Sequence, residues 1–98
     1  MPFTLIPSEE FEGQLDALKN DAALQKRYKA VSKCIRLLAN DPRHPGLNTH
    51  KYDSLSGPTG EPVFEAYAEN KTPGAYRVFW YYGPGKDEIT LVSVTPHP

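Results

Sequence analysis

Apolar residues recur between positions 24 and 38 at intervals of three and four: Leu24, Tyr28, Val31, Ile35 and Leu38. That spacing places them on one stripe of an α-helix, while Lys26, Lys29, Lys33 and Arg36 follow the same period on nearly the opposite side. The helix has to stop by Asn40 or Asp41, because Pro42 disfavours helical geometry in the residue before it. A shorter helix precedes it. Ser8 has an N-cap side chain, Glu9 and Glu10 suit the positive end of a helix dipole, and Phe11, Leu15 and Leu18 supply the apolar side. Only Asn20 and Asp21 separate the two, with Asp21 placed to cap the second, so the pair reads as an antiparallel helical hairpin.

From Pro62 onward the period becomes two. Val63 to Glu69 alternates, Ala75 to Tyr82 is densely aromatic, and Ile89 to Thr95 is rich in β-branched residues. The links 70–74 and 83–87 are short and carry Pro and Gly, which predicts a meander of three antiparallel strands. Phe3 to Ile6, ended by Pro7, predicts an opening strand, and Thr49 to Tyr52 a short extended piece. Asp41 to Gly46 and Ser54 to Pro62 read as turns, set by their prolines and glycines. The expected fold class is α+β, in one domain over residues 1–98: an N-terminal strand and an antiparallel helical hairpin packed on a small antiparallel β-sheet.

Alternation divides the aromatic strand into two sets, with Tyr76, Val78, Trp80 and Tyr82 on one side and Ala75, Arg77, Phe79 and Tyr81 on the other. A buried, unpaired arginine is costly, which puts the Arg77 set away from the helices. A hairpin turning about Thr72 sets Tyr67 opposite Arg77, with Glu65 and Glu69 diagonal to it. Glu65, Tyr67, Arg77 and Tyr81 then share a free face, and a one-residue slip would reverse the assignment.

Charge changes this picture only locally. Eleven Lys and Arg against twelve Asp and Glu argue against a dedicated, non-specific nucleic-acid module. Yet Lys19, Lys26, Arg27, Lys29, Lys33 and Arg36 fall in one stretch whose only acid is Asp21. Such a run reads either as a solvated helix face or as a surface that steers an anionic partner. The one cysteine, Cys34, excludes an internal disulfide and a multi-cysteine zinc site, and it reads as structural. His44, His50 and His97 lack metal-ligand spacing, so neither metal nor other cofactor is expected. No apolar run approaches the ~18–20 residues of a membrane span, and the first residues lack the basic start and apolar stretch of a signal peptide. A cytoplasmic protein is expected.

Three segments in this order carry a family resemblance: His50-Lys51-Tyr52 with Leu55-Ser56-Gly57, then Ala75-Tyr76-Arg77-Val78-Phe79-Trp80-Tyr81, then Ile89 to Val94 followed by Thr95-Pro96-His97-Pro98. Together they resemble the lysine-leucine-glycine segment, the tyrosine-arginine-valine central strand and the histidine-ended final strand of the RelE/ParE superfamily of bacterial toxins from type II toxin–antitoxin systems. The resemblance implies a partner antitoxin. For RelE-like members it implies metal-independent cleavage of mRNA on the ribosome, and for ParE-like members inhibition of DNA gyrase without chemistry. A third reading is an inactive member that only binds its antitoxin.

Carried over to this chain, the ribonuclease reading uses Lys51, Arg77 and His97, with Tyr81 as a looser match. Cleavage without metal needs a base for the ribose 2′-OH, an acid for the leaving oxygen and a cation for the pentavalent phosphate. Arg77 suits the cation, His97 the base or acid, and Lys51 additional charge stabilisation. Tyr81 suits base stacking or proton donation, Glu65 is an alternative base, and Lys26, Lys29, Lys33 and Arg36 are candidate RNA or phosphate contacts. The competing structural readings are an Arg77 ion pair with Glu65 or Glu69, a frayed His97 and a solvated Lys51. The slightly acidic total, and a strand before Arg77 that reads Val-Phe-Glu-Ala-Tyr-Ala-Glu, fit the non-catalytic alternatives.

Overall fold

The structure, a computed structural model, describes residues 2–71 and 74–96. In chain order it contains β1 (Thr4–Pro7), α1 (Glu9–Lys19), a 3₁₀ turn at Ala22–Leu24, α2 (Gln25–Asn40), a second 3₁₀ turn at Pro45–Leu47, and then β2 (His50–Ser56), β3 (Pro62–Tyr67), β4 (Tyr76–Tyr82) and β5 (Glu88–Pro96). The expected α+β layout holds, with two helices on one sheet. The sheet is larger than the expected meander and is mixed, in the order β1-β5-β4-β3-β2. β3, β4 and β5 pair antiparallel as expected, whereas β1 runs parallel to β5 and β2 extends the other edge.

Local chemistry sets the helix boundaries. Ser8 is the N-cap of α1: its Oγ accepts from the Phe11 N–H at 3.0 Å and donates to the Val92 carbonyl at 2.8 Å. One hydroxyl therefore starts the helix and ties it to β5. Asp21 caps the 3₁₀ turn that leads into α2, accepting from the Ala23 N–H at 2.9 Å. α2 ends at Asn40, two residues before Pro42.

The apolar stripe of α2 buries Val31, Cys34 and Leu38 against Ala66, Val78, Trp80, Ile89, Leu91 and Val94 of the sheet. Phe11 and Leu18 of α1 complete the core, and full burial of side chains this size contributes about 1.5–3 kcal/mol each. Burial pushes the Cys34 thiol up to about 12, which keeps it protonated and inert at neutral pH. Between β4 and β5 the register shifts: Phe79 pairs with Ser93 and Trp80 with Leu91. The bulge frees Val92 to join Val63, Phe79, Tyr81 and Tyr52 in a second cluster on the far side of the sheet. No helix among the described residues is long and apolar enough to cross a membrane.

Candidate functional site on the far face of the sheet

The site begins in the loop between α2 and β2. Asp41 Oδ1 accepts from the Arg43 N–H at 3.0 Å, and His44 Nδ1 accepts from the Gly46 N–H at 2.9 Å, folding 41–47 into a tight turn anchored by the buried Leu47. A Cβ on residue 46 would stand 3.0 Å from the His44 ring, which would have to shift to admit it. Asn48 then adopts a left-handed conformation with φ of 48°, one that asparagine tolerates better than most residues. Its carbonyl lies 3.1 Å from His50 Nδ1, at the first residue of β2.

His50 pairs with Glu65 in the β2–β3 ladder, and its Nε2 stands 2.6 Å from Glu65 Oε1. Glu65 is fully buried while the His50 side chain is about half exposed, at 48%. One ring nitrogen thus stands beside the carboxylate and the other beside a backbone carbonyl. Edge-on to His50 stands Tyr67, ring centroids 5.7 Å apart, and over the Tyr67 ring lies the Arg77 guanidinium at 3.6 Å. His50, Tyr67 and Arg77 therefore form one contact series, with Glu65 behind it.

Arg77 is 5% exposed. Cation–π contact with Tyr67 offsets part of its desolvation, and Nη1 donates to the carbonyls of Glu69 and, at 3.5 Å, Tyr76. Its Nε is buried without a hydrogen-bond partner among the described residues. Among the described ion pairs, Glu69 is joined to Arg27 and not to Arg77. The Glu69 carboxylate accepts from Arg27 Nε at 2.8 Å and from the Tyr76 N–H at 3.0 Å, and Arg27 also lies over the Tyr76 ring at 4.4 Å. Glu65 is paired with His50.

The expected register holds, since Tyr67 pairs with Arg77. The face it defines is not free, however: Glu65, Arg77 and Tyr81 are all buried. The cover is β2, a seven-residue strand where a short extended piece was expected. It brings His50 over Glu65 and Tyr52 over Phe79, the latter rings 4.9 Å apart. The turn after β2 continues the cover, with Ser56, Gly57 and Pro58 beside Tyr81, Thr90 and Val92 around a cavity of about 310 Å³. In that turn Thr59 donates from its hydroxyl and its N–H to the Glu61 carboxylate, at 2.6 and 2.8 Å, which holds the exposed Glu61 carboxyl below the usual range.

The sequence-predicted residues divide accordingly. Glu65 and Arg77 lie on the far face, bridged by Tyr67 and His50. Tyr81 is on the same face but four residues along β4 from Arg77, with the Phe79–Tyr52 pair between them. Lys51 is not with them: it pairs with Phe64, whose ring stacks on the core residue Trp80, so it belongs to the helix side of the sheet edge. There it is exposed, 3.7 Å from Asp53. Lys26, Lys29, Lys33 and Arg36 are exposed on α2, which packs on the sheet face opposite Arg77. His97 lies outside the described residues. His50 was the residue that motif spacing passed over. Its signal was parity, since it precedes Lys51 by one position and so takes the other face of the strand.

No protein-family model matches the chain, and no curated protein matches it in sequence. Solved structures do match in shape. The YoeB/ParE toxin from Agrobacterium tumefaciens superposes with a TM-score of 0.70 at 9% identity, covering 97% of this chain and 99% of that one. The archaeal RelE–RelB complex from Pyrococcus horikoshii OT3 gives 0.65 at 15% identity, covering 98% and 96%. A metal-bound toxin from Helicobacter pylori gives 0.64 at 23% identity, covering 97% and 94%. End to end, this chain has the fold of the RelE/ParE toxins.

Proposed function

We propose that the chain is the toxin of a type II toxin–antitoxin pair, an endoribonuclease that cleaves mRNA on the ribosome without a metal and is silenced by a cognate antitoxin. The observation that carries the chemistry is the 2.6 Å contact between the half-exposed His50 and the buried Glu65, on the same sheet face as Arg77. A carboxylate behind an imidazole fixes ring orientation and stabilises the protonated ring. With Nε2 held against Glu65, Nδ1, beside the Asn48 carbonyl at the loop surface, is the nitrogen this reading turns toward the substrate.

In this reading the 2′-OH attacks the adjacent phosphorus, a 2′,3′-cyclic phosphate forms and the 5′-oxygen leaves. His50 carries one of the two proton transfers, from the 2′-OH or to the leaving 5′-oxygen, Glu65 positions His50, and Arg77 supplies positive charge against the phosphorane behind the Tyr67 ring. His97 and Tyr81 remain candidates for the second proton transfer and for base stacking. Lys26, Lys29, Lys33 and Arg36 remain candidates for contacts to RNA phosphates. The RelE–RelB complex among the structural matches supports an antitoxin partner.

A second reading has its own support. Arg77 at 5% exposure fits a structural residue, and with the net charge of −1 this favours a ParE-like inhibitor that binds DNA gyrase and does no chemistry. Tightly controlled induction in a bacterium, with growth followed and mRNA 5′ ends mapped, separates the readings. New cuts within translated messages support the ribonuclease. Arrest without cuts moves the assignment to gyrase or another protein target, and growth without arrest, from a soluble folded product, to an inactive member that only binds its antitoxin.

A further inference from the structure

The helix side of the sheet carries a second group of aromatics at its edge. Phe64 stacks on Trp80 with centroids 5.0 Å apart and planes at 29°, and Tyr82 stands edge-on to Trp80 and Phe64 at 4.9 and 5.8 Å. Tyr82 is 42% exposed, one of only two large hydrophobic residues so exposed among the described residues. These three rings form one wall of a cavity of about 440 Å³, and the loop 43–49 forms the other. That volume lies within the range of about 300–1,000 Å³ typical of small-molecule sites.

The loop wall is polar and basic. Arg43 and Asn48 are exposed and line it. His44 lines it too: its Nδ1 accepts from the Gly46 N–H, so the neutral ring carries its proton on Nε2 as a donor. Trp80, fully buried in the aromatic wall, has an indole N–H that no hydrogen bond within the described residues satisfies. Lys51, outside the cavity lining itself, pairs with Phe64 on the same side of the sheet edge. Its contact with the exposed Asp53 is a loose surface pair that leaves the ammonium open to exchange.

Stacked aromatic surface, in-plane donors and flanking cations together match a nucleotide: rings for the π-face of a base, donors for its edge, and Arg43 and Lys51 for the phosphates on either side. An apolar ligand would leave the cations unused, and an acidic peptide would leave the stacking surface unused. We propose that this cavity binds a nucleobase of single-stranded RNA, with Arg43 and Lys51 holding the flanking phosphates. The site is on the face opposite His50 and Arg77, and it stands whether or not that face cleaves RNA.

Trp80 is the only tryptophan in the chain, so its fluorescence reports occupancy directly. The probes are AMP and a 2′-O-methylated hexa-adenylate, which offers no 2′-OH for cleavage. Quenching by the hexamer is expected, with Tyr82→Leu and Arg43→Glu each weakening it at least about fivefold, Tyr82→Phe retaining it, and the charge-matched control Lys86→Glu leaving it unchanged. No quenching overturns the proposal. So does quenching that survives Tyr82→Leu but is lost in His50→Gln, which would place the strand on the other face, and so does quenching by AMP alone, which would make the cavity a free-nucleotide pocket. Absence of mRNA cuts in cells alongside intact quenching retires the nuclease reading and leaves this site standing.

Discussion

Glu65 and His50 are joined across the β2–β3 ladder at 2.6 Å, the carboxylate fully buried and the imidazole half exposed. The contact fixes the ring to β3 and makes the two residues energetically interdependent. His50→Ala leaves a buried carboxylate without the imidazole beside it, and an expected loss of about 1–3 kcal/mol follows. Adding Glu65→Gln to His50→Ala recovers part of that loss, because the amide needs no counter-charge. Urea unfolding of the two single variants and the double gives the coupling, expected at about 1 kcal/mol or more; a cycle that closes to zero means the contact contributes nothing.

Arg77 depends on being planar. A lysine keeps the charge but stacks poorly on Tyr67 and cannot reproduce the guanidinium's in-plane donation to the Glu69 and Tyr76 carbonyls. Arg77→Lys is therefore expected to cost about 1–2 kcal/mol in denaturant unfolding and to lower activity with it. Wild-type stability in Arg77→Lys would show that charge alone matters at this position.

Cys34 sets a dependence on alkaline pH. Its folded-state value is raised to about 12 from an ordinary 9.0 by burial, so above pH 9 the unfolded chain releases a proton that the folded chain keeps. The protein gains nothing from this below pH 9 and loses stability as pH rises through that value, by about 1.4 kcal/mol at pH 10. Cys34→Ala lowers stability at every pH by opening a cavity, but removes this slope. Urea midpoints of both proteins at pH 7.5 and 10 measure it, and equal pH losses would show that Cys34 ionises freely in the fold. The same burial predicts that the thiol resists alkylation at pH 8 until the protein is unfolded.

How much of this was readable in the chain depended on the range of the contacts. Ser8 and Pro42 bracket the helices through groups a few residues away, and the short 68–75 link allowed the Tyr67–Arg77 register to be counted. Only the start of β2 was legible, as the extended piece Thr49 to Tyr52, and Ser54 to Ser56 read as turn, because His50-Lys51-Tyr52-Asp53-Ser54-Leu55-Ser56 has no apolar alternation: the strand is an edge whose side chains are nearly all exposed. The same gap made the Arg77 face look open. The partner of Glu69 escaped for a different reason. Arg27 comes from α2, 42 positions away, and was legible only as one more cation in a basic run.

The most direct test of the far-face site is 5′-end mapping of mRNA after induction of wild type, His50→Gln and Lys51→Ala, each checked for solubility and fold. The account predicts cuts from wild type, none from His50→Gln, and cuts at the same positions from Lys51→Ala, with at most a reduced yield. Cuts that persist in His50→Gln and vanish in Lys51→Ala would contradict it, because the chemistry would then lie on the other face of the sheet.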